Sequence, residues 1–186
     1  MLKKPRESKR MSDHAVKERT GKTWAEWFKI LDGAGAKKWQ HKEISAYLGE
    51  KQNVGPWWGQ MVAVAYEHER GIRQKFQKCD GEFAASGSRT LNVPLSRAYE
   101  AWVNEKSRRG WLGASDLEIT KATPSKSIRG KWDGGSSRLS VNFYGKGAEK
   151  CQVAVDHMKL GSSKECAKMK TFWFDALNRL QSRLEG

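Results

Sequence analysis

The chain has 186 residues, of which 38% are hydrophobic and 30% are charged, so it suits one large or two small globular domains with a charged surface. No apolar stretch approaches the ~20 residues of a membrane span, and none follows the basic start, so we expect neither a membrane span nor a secretory signal. The three cysteines (Cys79, Cys151 and Cys166) lack the C-x-x-C spacing of zinc and redox sites, which indicates a reducing, cytoplasmic setting in which all three are small buried side chains.

The net charge is +14, and the positive excess is spread along the chain. Residues 1–75 hold 16 Lys and Arg against 9 Asp and Glu, and residues 76–186 hold 19 against 12. A basic protein is attracted to nucleic acid, but a dedicated nucleic-acid-binding protein usually concentrates its charge on one face. A nucleic-acid partner therefore stays an alternative, but it is not the favoured one.

Residues 1–11 form a basic tail without hydrophobic periodicity. Its charge comes from Lys3, Lys4, Arg6, Lys9 and Arg10. We predict a disordered terminus. An electrostatic arm for nucleic acid is the less favoured alternative.

Residues 12–71 are predicted to form a small domain of four short helices with an aromatic core. Thr23 and Glu26 have the spacing of a capping box at the start of the second helix. Pro56 suits the first turn of the fourth helix. The apolar face expected to point inward from this fourth helix consists of Trp58, Met61, Val62 and Ala65.

Helices three and four of this domain also have a faint helix-turn-helix pattern. The candidate recognition helix begins Pro56-Trp57-Trp58-Gly59-Gln60 and lacks the Arg, Lys, Asn or Ser cluster that reads base edges. A plain helical bundle is therefore favoured over a DNA-binding module.

Residues 72–80 are polar and are assigned as a linker, and residues 81–186 have a different, mixed pattern. Residues 82–93 predict a strand, and residues 97–112 predict two short helices. Four short alternating segments then reach residue 160 and predict an antiparallel meander. The turn at residues 133–135 is a hairpin signal between two of these strands.

The chain ends in its longest predicted helix, residues 162–184. Ser162 and Glu165 have capping-box spacing. An apolar stripe follows at steps of three and four residues, formed by Cys166, Met169, Trp173, Leu177, Leu180 and Leu184. Such a stripe has to lie against a large surface, and we expect the preceding hundred residues to form the sheet that holds it. The predicted fold class is α+β, a small N-terminal helical bundle followed by an antiparallel sheet wrapped around a long C-terminal helix.

Dispersed motifs in residues 80–185 resemble the START-like superfamily, also called SRPBCC, whose architecture is the helix-grip fold. The motifs are Val93-Pro94-Leu95, Ala101-Trp102, Arg109-Gly110-Trp111-Leu112 and Val153-Ala154-Val155-Asp156-His157-Met158-Lys159-Leu160. Together with Met169-Lys170-Thr171-Phe172-Trp173, they are similar to the branch homologous to the activator of the ninety-kilodalton heat-shock chaperone's ATPase. The preceding helical region resembles a bacterial domain of unknown function that sometimes precedes START-like domains.

The resemblance implies an apolar cavity between the sheet and the terminal helix that takes a hydrophobic ligand. Here the meander has room for about four strands instead of five or six, which would shrink or open the cavity. The candidate lining residues are Trp102, Trp111, Trp132, Val141, Phe143, Val155, His157, Met169, Trp173 and Leu177. For any one of them, ordinary core packing is the competing interpretation.

His157 is the most polar of these candidates. It lies at the inward parity of its strand, where it could bond a ligand or act as a base, although a structural role is favoured. The other histidines (His14, His41 and His68) have no partner at metal-ligand spacing. No catalytic elbow, phosphate loop or dinucleotide fingerprint occurs.

We therefore expect a non-enzymatic, cytoplasmic protein without a metal or cofactor. Its second domain would bind a small hydrophobic ligand or a protein partner, with a chaperone implied only by the resemblance. Two alternatives stay open: a DNA-associated regulator that uses the helical domain, and a START-like enzyme that uses His157.

Overall fold

A computed structural model describes residues 11–113 and 117–186 of the chain. It divides into two compact units, which are described separately: unit 1 ends at Lys75 and unit 2 begins at Phe76. This division lies inside the segment 72–80 that the sequence assigns as a linker. Except for Met11, the predicted disordered tail lies outside the described residues.

Unit 1 is helical, and the caps explain where several of its helices begin. Its helices are α1 (Asp13–Thr20), α2 (Trp24–Gly33), a 3-10 turn (Ala36–Lys38), α3 (His41–Glu50) and α4 (Pro56–Glu69). Ser12 caps α1 by accepting a hydrogen bond from the Ala15 amide. The predicted capping box of α2 is present, because Glu26 accepts a 2.7 Å hydrogen bond from the Thr23 amide. These bonds to Thr23 lower the pKa of Glu26.

The inward face of α4 differs from the predicted one. The buried residues of this helix are Gly59, Val62, Ala63, Tyr66 and Glu67, whereas Trp58, Met61 and Ala65 are only partly buried. Gly59 lies against α3, where an added Cβ would come 3.8 Å from Leu48. This is an ordinary contact distance, so the inward face is turned by about one residue relative to the hydrophobic pattern without glycine being required at this position.

Unit 2 is the predicted α+β arrangement, and the structure confirms the helix-grip fold class. Its elements are β1 (Phe83–Leu91), α5 (Leu95–Val103), α6 (Glu105–Leu112), β2 (Glu118–Thr123), β3 (Ser127–Trp132), β4 (Ser137–Gly145), β5 (Cys151–Leu160) and α7 (Ser163–Glu185). The five strands form one antiparallel sheet in the order β1-β5-β4-β3-β2. Helix α7 packs against this sheet, most extensively against β1.

Strand alternation places one face of the sheet against α7. Leu139 pairs with His157 across β4 and β5, and Val141 pairs with Val155. All four side chains are buried, as the period of two along each strand predicts. Strands β2 to β5 are the four-stranded meander expected from the sequence.

The start of α7 is capped, but without the reciprocal box that the sequence suggests. Ser162 accepts a hydrogen bond from the Glu165 amide at 3.2 Å. The Glu165 carboxylate instead accepts from the amide of Gly161 at 2.7 Å, one residue before Ser162. The apolar stripe is buried as predicted.

Two arginines cap the carbonyl ends of α5 and α6. Arg108 donates to the Trp102 carbonyl oxygen at 2.6 Å, and Arg179 of α7 donates to that of Trp111 at 2.8 Å. Carbonyl groups at a helix end lack intrahelical donors and attract cations. Burial lowers the pKa of Arg108. These bonds hold the two short helices that carry Trp102 and Trp111.

The cysteines are not all buried. Cys151 and Cys166 are, and burial raises the pKa of each thiol. Cys79 is exposed, so the expectation that all three are core side chains is wrong for this residue.

None of the helices in the described part of the chain is both long and apolar enough to cross a membrane.

Gly130 is required by the close pairing of β2 and β3. An added Cβ would lie 2.7 Å from the carbonyl oxygen of Glu118 and 2.7 Å from Leu117 Cδ1. Because a backbone atom cannot move without disturbing the strand pair, Gly130→Ala should lower the free energy of unfolding by about 1–3 kcal/mol. Urea denaturation followed by circular dichroism measures this loss.

Gly110→Ala is the matched control for Gly130→Ala. The three atoms nearest to its added Cβ all belong to the guanidinium of Arg183, the closest at 2.6 Å, and the end of that flexible side chain can swing away. Alanine is also the better helix former, so this variant should be neutral or slightly stabilised. Equal losses for the two alanines would contradict the assignment of strain to the β2–β3 backbone.

Candidate functional site

A line of aromatic side chains fills the space between α7 and the sheet in unit 2. We call Trp111, Trp102, Trp173 and Trp132, in that order, the aromatic column. The ring centroids of Trp111 and Trp102 are 4.7 Å apart in an edge contact. Trp102 and Trp173 stack at 6.1 Å with 23° between their planes, and Trp173 meets Trp132 edge-on at 5.1 Å. These are favourable geometries for aromatic pairs.

The structure brings all ten predicted lining residues together in the core of unit 2. Nine of them are buried, namely Trp102, Trp111, Val141, Phe143, Val155, His157, Met169, Trp173 and Leu177. The tenth, Trp132, is only partly buried. That they bind a ligand stays a prediction.

The two ends of the column differ in their exposure. At the inner end, Trp102 and Trp111 are fully buried. At the outer end, Trp132 and Phe172 are partly exposed and contact each other edge-on at 5.6 Å. The outer end is therefore where a molecule from solvent first meets the column.

His157 is fully buried beside the column and is bonded through both ring nitrogens. Trp173 Nε1 donates to His157 Nδ1 at 3.1 Å, and His157 Nε2 lies 2.8 Å from Ser137 Oγ. An indole nitrogen can only donate. His157 Nδ1 therefore carries no proton, and the neutral ring has its proton on Nε2. Burial lowers the pKa of His157 to about 4, which agrees with a neutral ring at neutral pH.

This tautomer determines the relation of His157 to Ser137. Because Nε2 carries the proton, His157 donates to Ser137 Oγ instead of accepting its hydrogen. A serine nucleophile needs the opposite arrangement, in which the imidazole takes the hydroxyl proton. The pair is therefore arranged as a structural hydrogen bond. Sequence analysis missed Ser137, although its inward parity with Leu139 was a usable signal.

Three indoles of the aromatic column are fully buried. Of these three, Trp102 Nε1 is the donor that lacks an acceptor among the residues the structure describes. The two neighbouring buried indoles are satisfied: Trp111 Nε1 donates to the Ala101 carbonyl oxygen at 3.0 Å, and Trp173 Nε1 donates to His157. A buried donor without a partner costs about 1–3 kcal/mol. This atom therefore stands out as a polar group for which the folded chain supplies no partner.

A second polar feature of unit 2 joins β1 to α7. Arg89 points to the helix side of the sheet, donates to Asn178 Oδ1 and lies 5.3 Å from the Phe174 ring. Arg89 Nε and Asn178 Nδ2 lack partners in the described part of the chain. No pattern in the sequence predicts this pair, whose members are 89 residues apart.

Unit 1 has a buried carboxylate that sequence analysis did not identify. His41 Nδ1 lies 3.0 Å from Glu67 Oε1, and Gln60 lies 2.7 Å from the other ring nitrogen of His41. Arg73 Nη2 is 2.9 Å from Glu67 Oε2, but no N–H points at that oxygen, so the contact is an ion pair without a directed hydrogen bond. The cluster ties α3 to the end of α4.

Among the described residues, no group of three or more His, Cys, Asp and Glu could hold a metal ion.

Solved structures of similar fold exist, whereas no model of a protein family and no curated protein matches the sequence. The conserved protein of unknown function EF2215 from Enterococcus faecalis is 10% identical, covers 65% of this chain and 82% of its own, and has a TM-score of 0.51. Protein MLL2253 from Mesorhizobium loti is 11% identical, and the match covers 55% of this chain and 96% of that protein, with a TM-score of 0.50.

A third similar structure is the Aha1 dimer from Colwellia psychrerythraea. It is 15% identical, with coverages of 55% and 96% and a TM-score of 0.49. At such low identities a structural likeness concerns the fold alone. Unit 2 has a helix-grip architecture by its own topology, and what it does must be argued from its own residues.

Proposed function

We propose that unit 2 binds a small, hydrophobic, largely aromatic ligand between α7 and the sheet, and that it acts by binding and not by catalysis. The observation that carries this proposal is the aromatic column with one partly exposed end, at Trp132 and Phe172. Ligand sites are typically lined by aromatic and apolar side chains with few polar groups.

Entry of a ligand requires the outer rings to move. Trp132, Phe143 and Trp173 pack within the core, so the ligand takes space that side chains now fill. Trp132 is the ring that moves at the lowest cost, because it is only partly buried and lies at the end of β3. The ligand then replaces its contacts with Trp173 and Phe172.

A binding role agrees with the state of His157. Its Nδ1 is occupied by Trp173, and its Nε2 donates to Ser137, so neither nitrogen offers a base to a substrate. This geometry supports a structural His157 over the START-like enzyme considered from the sequence. A chaperone or other protein partner is suggested by the resemblance alone, and a nucleic acid by the net charge alone, so both rank below the ligand.

Native mass spectrometry of freshly purified protein tests the proposal directly. We expect an adduct of a few hundred daltons that is lost on denaturation, or a gain of such mass when a panel of aromatic and lipid compounds is added. Trp132→Ala should strengthen the binding of the retained compound several-fold, because the ligand no longer has to displace the Trp132 ring from Trp173 and Phe172.

Trp57→Ala is the matched control for this test. Trp57 is 58% exposed in unit 1, and its removal should leave the affinity unchanged. A clean apo mass with no gain from any compound in the panel would overturn the proposed function. DNA binding that falls steeply with salt would instead favour the regulator alternative.

A further inference from the structure

The unpartnered indole nitrogen of Trp102 has a consequence for the chemistry of the ligand. We infer that the molecule bound along the aromatic column carries a neutral hydrogen-bond acceptor, such as a ketone or quinone oxygen, which accepts from Trp102 Nε1. This inference rests on the proposed function and adds the polar group by which the site would select among aromatic compounds.

The first step of the argument is the contrast among the buried indoles. Trp111 and Trp173 are each supplied with an acceptor by the chain itself. Trp102 lies between them in the column, is fully buried and has no acceptor in the described residues. Buried polar groups in native proteins are nearly always paired, so an exception calls for an explanation, and an absent ligand is one.

The second step concerns which group the site would accept. Around Trp102, the donor of Trp111 and the accepting nitrogen of His157 are already used within the chain. The indole N–H of Trp102 therefore remains as the donor without a partner at the inner end of the column. A ligand with an acceptor satisfies it, whereas a hydroxyl group that must donate finds no partner among the side chains of the column.

The third step concerns the charge of the ligand. The buried polar side chains that the structure describes in unit 2 are Ser137, Ser140 and His157, and none of them is charged. The guanidinium groups of Arg108, Arg179 and Arg89 are already bonded to acceptors within the chain. A buried anion without a counter-charge is strongly unfavourable. A neutral carbonyl oxygen therefore fits this position better than a carboxylate or a phosphate.

The size of the ligand follows from the column. Starting at the outer end, the ring centroids of Trp132 and Trp173 are 5.1 Å apart, and those of Trp173 and Trp102 are 6.1 Å apart. Because Trp173 is fully buried between them, a molecule that enters at Trp132 reaches Trp102 only if the Trp173 ring shifts together with that of Trp132. A molecule of two or three fused rings, with the acceptor at its leading end, then spans the two steps.

A pair of nearly isosteric probes tests the inference. 2-Acetylnaphthalene and 2-isopropenylnaphthalene differ in having an oxygen or a methylene group at one position. We expect the wild-type protein to bind the ketone about tenfold more tightly in calorimetric titration, which corresponds to ~1.4 kcal/mol. In ¹⁵N-labelled protein, the ketone alone should shift the Trp102 indole proton downfield.

Two variants assign the preference to one atom. Trp102→Phe keeps a ring but removes the donor, so the ketone and the alkene should bind equally. Trp132→Phe removes an indole N–H from the outer end and should preserve the preference. The indole proton shift in the wild-type protein decides the matter even if Trp102→Phe fails to fold.

The outcomes separate this inference from the proposed function. Equal binding of the two probes, with no shift of the Trp102 indole proton, would overturn the inference and leave hydrophobic binding intact. A preference for the ketone that survives in Trp102→Phe would also overturn it. No binding of either probe up to its solubility limit would count against the proposed function and would remove the basis of the inference.

Discussion

Trp173→Ala is expected to lower the free energy of unfolding of unit 2 by about 3–5 kcal/mol, the range for truncating a buried Trp or Phe. Trp173 is fully buried on α7. It stacks on Trp102, meets Trp132 edge-on and donates a hydrogen bond to His157. The substitution removes all three contacts and leaves Nδ1 of His157 without its donor.

Amide hydrogen exchange in β4 and β5 would measure this loss within unit 2, and urea denaturation would measure it for the whole chain. Trp173→Phe should lose less, because the ring contacts remain and only the hydrogen bond disappears. Trp57→Ala removes an equally large but 58% exposed side chain and should change stability by no more than about 0.5 kcal/mol. Similar losses for Trp173→Ala and Trp57→Ala would contradict the central place of the column.

The parts of the fold that could be predicted from the sequence depend on local periodicity. The stripe of α7 follows the helical repeat, and its residues are buried as expected. The faces of β4 and β5 follow strand alternation, which correctly grouped Val141 with Phe143 and Val155 with His157. The lining candidates on β3, β4, β5 and α7 lie together because they were chosen by these two periodicities, whereas Trp102 and Trp111 were taken from the short helices that the family resemblance placed at the cavity.

The polar contacts could not be predicted, because they join residues that are distant in sequence. His157 is bonded to Ser137, 20 residues away, and to Trp173, 16 residues away. The protonation of His157 depends on both contacts. In unit 1, the contact between Glu67 and His41 likewise joins two residues that are far apart in the sequence, by 26 positions.

The inward face of α4 was also missed. Gly59, which the hydrophobic pattern leaves out, is buried there at an ordinary contact distance from Leu48, whereas Trp58 and Met61 are only partly buried. Apolar periodicity identifies the helix, but it does not report which side packs against a neighbour when a buried position carries a residue without an apolar side chain.

Acid should destabilise unit 2 through His157. Burial lowers the pKa of this ring from 6.5 to about 4 in the folded protein, and the neutral form is also the one that accepts from Trp173 Nε1. The unfolded chain therefore takes up a proton at a higher pH than the folded chain does. The contribution of His157 to stability is fully present above pH ~6.5, falls as the pH drops from there, and is lost by pH ~4, a change of roughly 3 kcal/mol.

His157→Gln isolates this contribution from that of the carboxylates. The amide oxygen of glutamine can accept from Trp173 Nε1 and its amide nitrogen can donate to Ser137, but the side chain does not titrate. Unfolding free energies of both proteins, measured by urea titration from pH 7 to pH 4, should show the wild-type protein losing ~3 kcal/mol more than the variant. Parallel curves for the wild-type protein and His157→Gln would mean that His157 is protonated in the folded state, and the tautomer assigned from its two hydrogen bonds would then be wrong.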